Sequence, residues 1–386
     1  MRLFQFALIG FPDRRAASVQ TARMAVAFEA IGVDATLVYQ AVGSPVAIPD
    51  IPLAYGLSAV PRHLALPFGR IAARLPGERL SRVALQAAVS LFASRASDGD
   101  VYLGRHPHRG LTHMLLEARA RRRTRASVFV EIHEAGHFHA GLDAHVAGYI
   151  AINVALAEAL QRNGVGAERI VVARNGVDVE RYREFASRRE QLREELRLPR
   201  ESVCVCYTGQ LFAGRNIGAL IAALGHLDPA FMIVLVGGEP QDITRLRQEA
   251  VRAGMESRVR FVGHQTADVA SQYQCASDVV VIPYAAEKTP TAQWCSPLKA
   301  AEYLASGTPI AAFPLPALQQ LYREGEVEWA TDDSPPALAR AISVSARHPH
   351  IPPVERGGRL AGLSWTARAQ RITEFIHARL AAVGRC

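Results

Sequence analysis

The chain has 386 residues, of which 49% are apolar and 21% charged, and its formal net charge is +8. That length exceeds what one hydrophobic core usually serves and predicts two domains, while the composition excludes an intrinsically disordered chain. No apolar run approaches the roughly 18 residues that a membrane-spanning helix needs.

The first residues, MRLFQFALIGFPDRR, carry a short apolar run from Phe4 to Ile9 without a small-residue cleavage site, which predicts a first strand and no signal peptide. A helix is expected from about Ser18 to Ile31, because Ala22, Ala25, Val26 and Ala30 fall at helical spacing and Gly32 ends the pattern. A second strand follows over Ala35 to Tyr39. Residues 41–95 are less regular: a Pro-containing loop leads into an Arg-studded amphipathic stretch from Arg70 to Phe92. A surface helix pair is the simpler expectation there, and an interfacial membrane helix the alternative.

Short β-rich runs then recur at Val101 to Leu103, Val128 to Ile132, Tyr149 to Ile152 and Ile170 to Val172, with helical stretches between them. Arg119, Arg121, Arg122, Arg123 and Arg125 form the densest basic cluster of a first half that holds 19 arginines against 13 acids over residues 1–170. A solvated helix end explains such a cluster. The functional alternative is a surface facing anionic lipid or a phosphorylated acceptor. Nucleic acid is not an expected partner, since aromatic residues are few and no binding motif occurs.

The charged segment Val179 to Glu201 reads as a linker helix between domains. The alternation restarts with strand Val203 to Tyr207 and a helix from Ile217. It continues through strand Met232 to Val236, a helix over Asp242 to Ala253, and strands Val259 to Val262 and Val279 to Ile282. A helix from Pro297 to Ala305, strand Pro309 to Phe313 and a closing helix from Trp365 to Leu380 complete it. No repeat of 20–50 residues is present. The expected architecture is two doubly wound parallel-sheet (Rossmann-like) α/β domains facing a cleft. Residues 1–180 form the first, with the closing helix 365–386 packed back on it, and residues 181–364 form the second.

Five cysteines show no metal-ligand spacing. Cys204 and Cys206 share one face of a strand, so free thiols in a reduced cytosol are expected. Only Lys288 and Lys299 are lysines among 44 basic residues. A lysine kept in such a chain marks a candidate site for a compact ammonium, which arginine does not replace.

In doubly wound sheets ligands bind beyond the carboxyl ends of the strands. The loop Tyr207-Thr208-Gly209-Gln210-Leu211-Phe212-Ala213-Gly214-Arg215 follows a strand. Its glycine allows close backbone approach, and Arg215 suits bidentate contact with phosphate oxygens. A plain α/β loop reads the same way. The stretch Cys295-Ser296-Pro297-Leu298-Lys299-Ala300-Ala301-Glu302 is a stronger signal. Ser296 suits the N-cap and Pro297 the first helical position, so the amides of Leu298 and Lys299 and the helix dipole make an anion site beside the Lys299 ammonium. Glu302 lies a turn further, where a carboxylate can accept two hydrogen bonds from a ribose diol. A well-capped surface helix is the competing explanation. In the first half, Val128 to Ile132 delivers His133 and Glu134 to a strand end, where such a pair can handle a proton or bind a hydroxylated acceptor.

Together these segments resemble the GT-B glycosyltransferases of the family-4 kind, which retain anomeric configuration. ERIVVARNGVDVERY, with Asn175-Gly176-Val177-Asp178, resembles the family's turn before the second domain, and YTGQLFAGRNIGALIAAL its phosphate-binding loop and helix. VLVGGEP, RVRFVGHQ, ASDVVVIPY and SPLKAAEYLASGTPIAAF follow in the family's order. The resemblance covers residues 120 to the end and is vaguer over 41–100. It implies transfer of a sugar from a nucleotide-diphosphate sugar to a saccharide or lipid-linked acceptor, in cell-surface glycan biosynthesis. The setting it implies is cytoplasmic or peripheral to the inner face of the cell membrane, with contact through the basic first domain.

By the resemblance, Glu302 holds the donor ribose, the Ser296–Lys299 helix start holds the diphosphate, and Arg215 holds the leaving phosphate. His133 lies near the transferred sugar. Catalysis then rests on cationic charge at the leaving diphosphate, with neither cofactor nor metal. The chain departs from the family pattern at Trp294, which stands eight positions before Glu302 where a second glutamate is frequent. Gln210 stands where arginine is common, and Gly10-Phe11-Pro12-Asp13 lacks a glycine pair. A catalytically silent subunit partnering another transferase and a sugar-nucleotide epimerase are the alternatives.

Overall fold

The computed structural model describes residues 1–8, 10–13, 15–40, 47–66, 78–106, 110–134, 141–285, 297–382 and 384. The chain divides into two units, Met1–Gly176 with Trp365–Cys386, and Val177–Ser364. Within the second unit the incoming and outgoing segments lie side by side. The Val177 N–H donates to the Leu363 carbonyl at 2.9 Å, and Val177 pairs with Ser364 in a parallel bridge.

The first unit is built on a seven-stranded sheet with the order β3-β2-β1-β4-β5-β6-β7. Its strands are β1 (Arg2–Phe6), β2 (Asp34–Tyr39), β3 (His63–Ala65), β4 (Asp100–Arg105), β5 (Ser127–Ile132), β6 (Val146–Ala151) and β7 (Ile170–Val172). Every pairing is parallel. Central β5, SVFVEI, is buried throughout, as a strand covered on both faces must be. The helix Ala16–Ala30 and the closing helix Trp365–Ala382 pack against each other, and the closing helix also covers β6. Phe375 of that helix meets Phe129 of β5 edge to face at 6.0 Å.

The second unit has six parallel strands in the order β10-β9-β8-β11-β12-β13. These are β8 (Val203–Thr208), β9 (Phe231–Val236), β10 (Val259–Gly263), β11 (Val279–Ile282), β12 (Ile310–Ala312) and β13 (Glu328–Trp329). In both sheets the strand order reverses once, between β1 and β4 and between β8 and β11. Loops on either side of a reversal run apart and leave room for a ligand at the carboxyl ends.

The expected α/β class and the alternation hold, with strand ends shifted by a few residues; β1, for instance, stops at Phe6 and not at Ile9. The segment expected as a linker is different. It forms two helices, Val179–Ser187 and Arg189–Glu195, whose Val179, Tyr182, Phe185 and Leu192 are buried in the core of the second unit. Its charge is explained locally. Arg193 is buried and donates to the Ala276 carbonyl and to Asp278, while most of the acids face water.

The amphipathic stretch becomes the helix Glu78–Ala93, and residues 70–77 lie outside the described residues. Arg121, Arg122, Arg123 and Arg125 are exposed beyond the helix Leu111–Ala120, and Arg119 donates to the Thr124 carbonyl. Among the described residues no helix is long and apolar enough to cross a membrane. Cys204, Cys206 and Cys275 are buried free thiols, and burial pushes the Cys206 thiol up to about 12, which leaves it inert at neutral pH. Cys295 and Cys386 lie outside the described residues.

Candidate functional site

The strand reversal of the second unit places the loop after β8 and the chain after β11 next to each other. Strand β8 ends on Thr208, which is held by two side chains. Its N–H donates to the Tyr303 hydroxyl at 3.0 Å, and Gln274 Nε2 donates to its Oγ1 at 2.8 Å. Gln274 in turn accepts from the Tyr182 hydroxyl at 2.6 Å, so the buried polar atoms form a connected set. Beyond this anchored end, Gly209 and Gln210 are exposed.

Gly209 turns the chain at φ +120°, and Gly237 after β9 does so at φ +116°. A Cβ on Gly237 would lie 2.3 Å from the Gly209 carbonyl oxygen, so these two loops approach as they do only because the side chain is absent. We expect Gly237→Ala to destabilise the unit by on the order of 2–3 kcal/mol, through strain and the displaced loop. Urea denaturation would show it, and an unchanged midpoint would refute it.

Lys299 sits under this loop, 8% exposed, on the helix Leu298–Ser306. Its Nζ lies 3.8 Å from the centre of the Tyr207 ring and donates to the Tyr284 hydroxyl at 2.7 Å. Tyr207 and Tyr284 are themselves buried. The Tyr207 hydroxyl donates to the Gln210 carbonyl at 2.8 Å, tying the loop to the same group. Arg215 ends the short turn Ala213–Arg215, with its guanidinium 4.8 Å from the Phe212 ring and 4.7 Å from that of Tyr284. Asn216 follows in a left-handed conformation and starts the helix Ile217–Ala223. Two cations from separate segments are therefore held at one strand reversal against aromatic faces.

The helix carrying Lys299 begins at Leu298, and Pro297 takes the capping position, one residue later than the sequence suggested. Ser296, Trp294 and Lys288 lie outside the described residues. Glu302 is half-buried on this helix, one turn beyond Leu298. The structure thus brings Gly209, Gln210, Arg215, Pro297, Leu298, Lys299 and Glu302 to the second unit. Among the described residues no group of three or more His, Cys, Asp or Glu side chains is placed to hold a metal ion.

His133 and Glu134 belong to the first unit, just beyond β5. His133 Nε2 is hydrogen-bonded to Oε1 of buried Glu131, and Gln20 Nε2 donates to the same oxygen at 2.7 Å. Arg368, from the closing helix, pairs with Oε2 at 3.0 Å. Arg105, at the end of β4, donates to the Gln20 side-chain carbonyl at 3.3 Å. Burial alone would raise the Glu131 carboxyl. Arg368, His133 and Arg105 together hold it well below the usual carboxylate range. Burial, reinforced by Arg105, pushes His133 down to about 4 against the pull of Glu131. The pair is therefore a neutral imidazole on an ionised carboxylate, in which Nε2 carries the proton and Nδ1 is left to accept. Half-buried Glu134 is next to it, and residues 135–140 lie outside the described residues.

Four contributors were assigned no role from the sequence: Tyr207, Tyr284, Glu131 and Arg368. The tyrosines follow apolar strand runs and look like core residues, which by burial they are. Nothing local pairs Glu131 with Arg368.

Residues 202–346 match the family model described as Glycosyl transferases group 1. The fold, two parallel-sheet α/β units, is of the GT-B class. Anabaena Alr3699/HepE, solved in complex with UDP, superposes with a TM-score of 0.71 at 19% identity, covering 98% of this chain and 100% of that one. The sucrose-phosphate synthase of Thermosynechococcus elongatus superposes with a TM-score of 0.71 at 19% identity, covering 99% and 100%. A D-inositol 3-phosphate glycosyltransferase of Thermomonospora curvata is 28% identical over 233 residues, 55% of this chain and 52% of the relative. The Rhodococcus opacus protein of the same name is 31% identical over 204 residues, 48% and 42%. The chain thus spans about half the length of the curated relatives it matches.

Proposed function

We propose that the chain transfers a sugar from a nucleoside-diphosphate sugar to a hydroxylated acceptor, a saccharide or a lipid-linked one, with retention of anomeric configuration. The observation that carries the reading is the pairing of Lys299 and Arg215 at the β8/β11 reversal, beneath the glycine loop of Gly209. A diphosphate leaving group gains negative charge as the glycosidic bond breaks. Fixed cations aimed at that position lower the barrier without a metal, because they are in place before the charge develops. The dipole of the helix beginning at Leu298 acts in the same sense. Glu302 binds the ribose hydroxyls, and His133, held by Glu131, accepts a hydroxyl hydrogen bond at Nδ1.

The UDP and UDP-glucose complexes of Anabaena HepE make uracil the first base to try. The name shared by the curated relatives makes a phosphorylated cyclitol the first acceptor. A role in cell-surface glycan assembly, with the exposed arginines beyond Ala120 lying on anionic lipid, belongs to the same reading.

The test is a thermal-shift series with UDP, GDP, ADP, TDP and CMP. A nucleotide present at 100 times its dissociation constant adds about 2.7 kcal/mol to stability. A shift with one diphosphate names the donor class. No shift with any of them would sink the reading and point to a silent subunit. Glu302→Ala should weaken the nucleotide about ten- to a hundredfold, the worth of hydrogen bonds to a charged acceptor, with folding intact. Unchanged affinity would remove the ribose assignment.

A further inference from the structure

We propose that Tyr284 is a positioning residue that sets Lys299 and Arg215 as a matched pair for the two phosphates of a nucleoside diphosphate. The inference rests on the donor-site reading above and extends it to the last residue of ASDVVVIPY, to which the resemblance assigns no role.

Tyr284 is the element common to both cations. It lies two residues past the end of β11, is 1% exposed, and has one polar atom. That hydroxyl accepts from Lys299 Nζ at 2.7 Å, and the ring of the same residue lies 4.7 Å from the Arg215 guanidinium carbon. Lysine has a flexible four-carbon stem and arginine three methylenes, so each samples many rotamers unless something limits it. Here one rigid side chain limits both. Tyr207 completes the support, since its ring backs Lys299 at 3.8 Å and its hydroxyl is 3.3 Å from that of Tyr284. Tyr207 also holds the Gln210 carbonyl. The loop, the lysine and the arginine are thereby linked through two buried rings.

This arrangement makes preorganised charge. Charge whose position is set before the ligand arrives needs no reorganisation as the bond breaks. The device also suits a chain in which Gln210 occupies the loop and supplies no charge of its own. A pair of fixed cations matches two adjacent phosphates better than one, so the preference for diphosphate over nucleoside should depend on Tyr284.

Titration calorimetry of the full chain with UDP and with uridine separates this role from a structural one; if the panel selects another base, its diphosphate and nucleoside replace them. Tyr284→Phe keeps the ring under Arg215, fills the same space and removes the hydroxyl that accepts from Lys299 Nζ and lies 3.3 Å from that of Tyr207. Expected is a loss of about tenfold in diphosphate affinity with nucleoside affinity unchanged. Tyr284→Leu removes both supports and should lose more of the same ratio. In turnover, Tyr284→Phe should lower kcat more than it raises KM, because aligned charge matters most as the bond breaks. A diphosphate-to-nucleoside ratio in Tyr284→Phe equal to that of the unaltered chain would overturn the positioning role and leave the donor site standing. An equal loss of both ligands would overturn it too, as a packing effect. An unaltered chain that binds none of the diphosphates overturns the donor-site reading and this inference with it.

Discussion

Replacing Lys299 with alanine is expected to lower turnover by about 10²–10³-fold, the usual cost of removing one preorganised group that faces developing charge. The magnitude follows from where the ammonium sits. It is 8% exposed, so water does not take over its role when it is removed, and its position between Tyr207 and Tyr284 is fixed in advance. Nucleotide binding should weaken less than turnover, because the ground-state diphosphate carries less charge at the leaving oxygen than the transition state does. Lys299→Arg is the informative companion. The guanidinium keeps the charge but is planar and broader than the slot that holds an ammonium 3.8 Å above a ring. Turnover in that variant should fall as well. Single-turnover kinetics with the donor identified by nucleotide binding would check both, and full activity of the arginine variant would show that charge alone suffices.

The second large effect is on stability. Arg368→Met should destabilise the first unit by about 3–5 kcal/mol, because it removes the cation facing Oε2 of Glu131 and leaves a buried carboxylate short of a partner. The methionine fills much of the vacated space, so packing loss is a minor part. Hydrogen exchange of the β5 amides reads this unit separately from the other. Adding Glu131→Gln to the variant should recover part of the loss, since the uncompensated charge goes with it.

The pH dependence has a definite sign. The Glu131 carboxyl is held below its unfolded value, so its contribution is full above the ordinary carboxylate range and is lost as pH falls through the folded value. His133 is lowered to about 4, so below the unfolded value near 6.5 the unfolded chain binds a proton that the folded chain refuses. Stability therefore starts to decline below about pH 6.5 and falls further on approach to pH 4. The gap between the unaltered chain and Arg368→Met should narrow over the acid range, as Glu131 becomes protonated in the variant. A gap independent of pH would mean that the arginine acts through packing and not through charge.

Much of the fold was legible because parallel strands buried on both faces read as short apolar runs, and helices between them show their own period. Strand β3 was not, since His63–Ala65 is three residues long and exposed throughout, with no inward face to create an alternation. The segment after Val179 was misread for a different reason. Its charge dominates the composition, but Val179, Tyr182 and Phe185 recur at helical spacing and are the part that packing uses. At the proposed donor site, Lys299 announced itself as one of two lysines, and Arg215 and Glu302 by their place in loops and helices. Tyr284 and Tyr207 gave no such sign, because an aromatic residue at a strand end has the same local signature whether it packs on a leucine or on a cation. The buried charge set at β5 was the least accessible. Its cation lies 237 residues from Glu131 along the chain, and only the docking of the closing helix brings them together.

That helix has a consequence for how the chain is made. The second unit is one uninterrupted stretch, Val177–Ser364, so it can complete its sheet before the closing helix Trp365–Ala382 has emerged. The first unit emerges earlier and is finished later. Until Trp365–Ala382 arrives, its β6 face is uncovered and the Glu131 carboxylate lacks its arginine. The half synthesised first must wait for the half synthesised second, and during that interval the nascent sheet is the surface most in need of protection from aggregation.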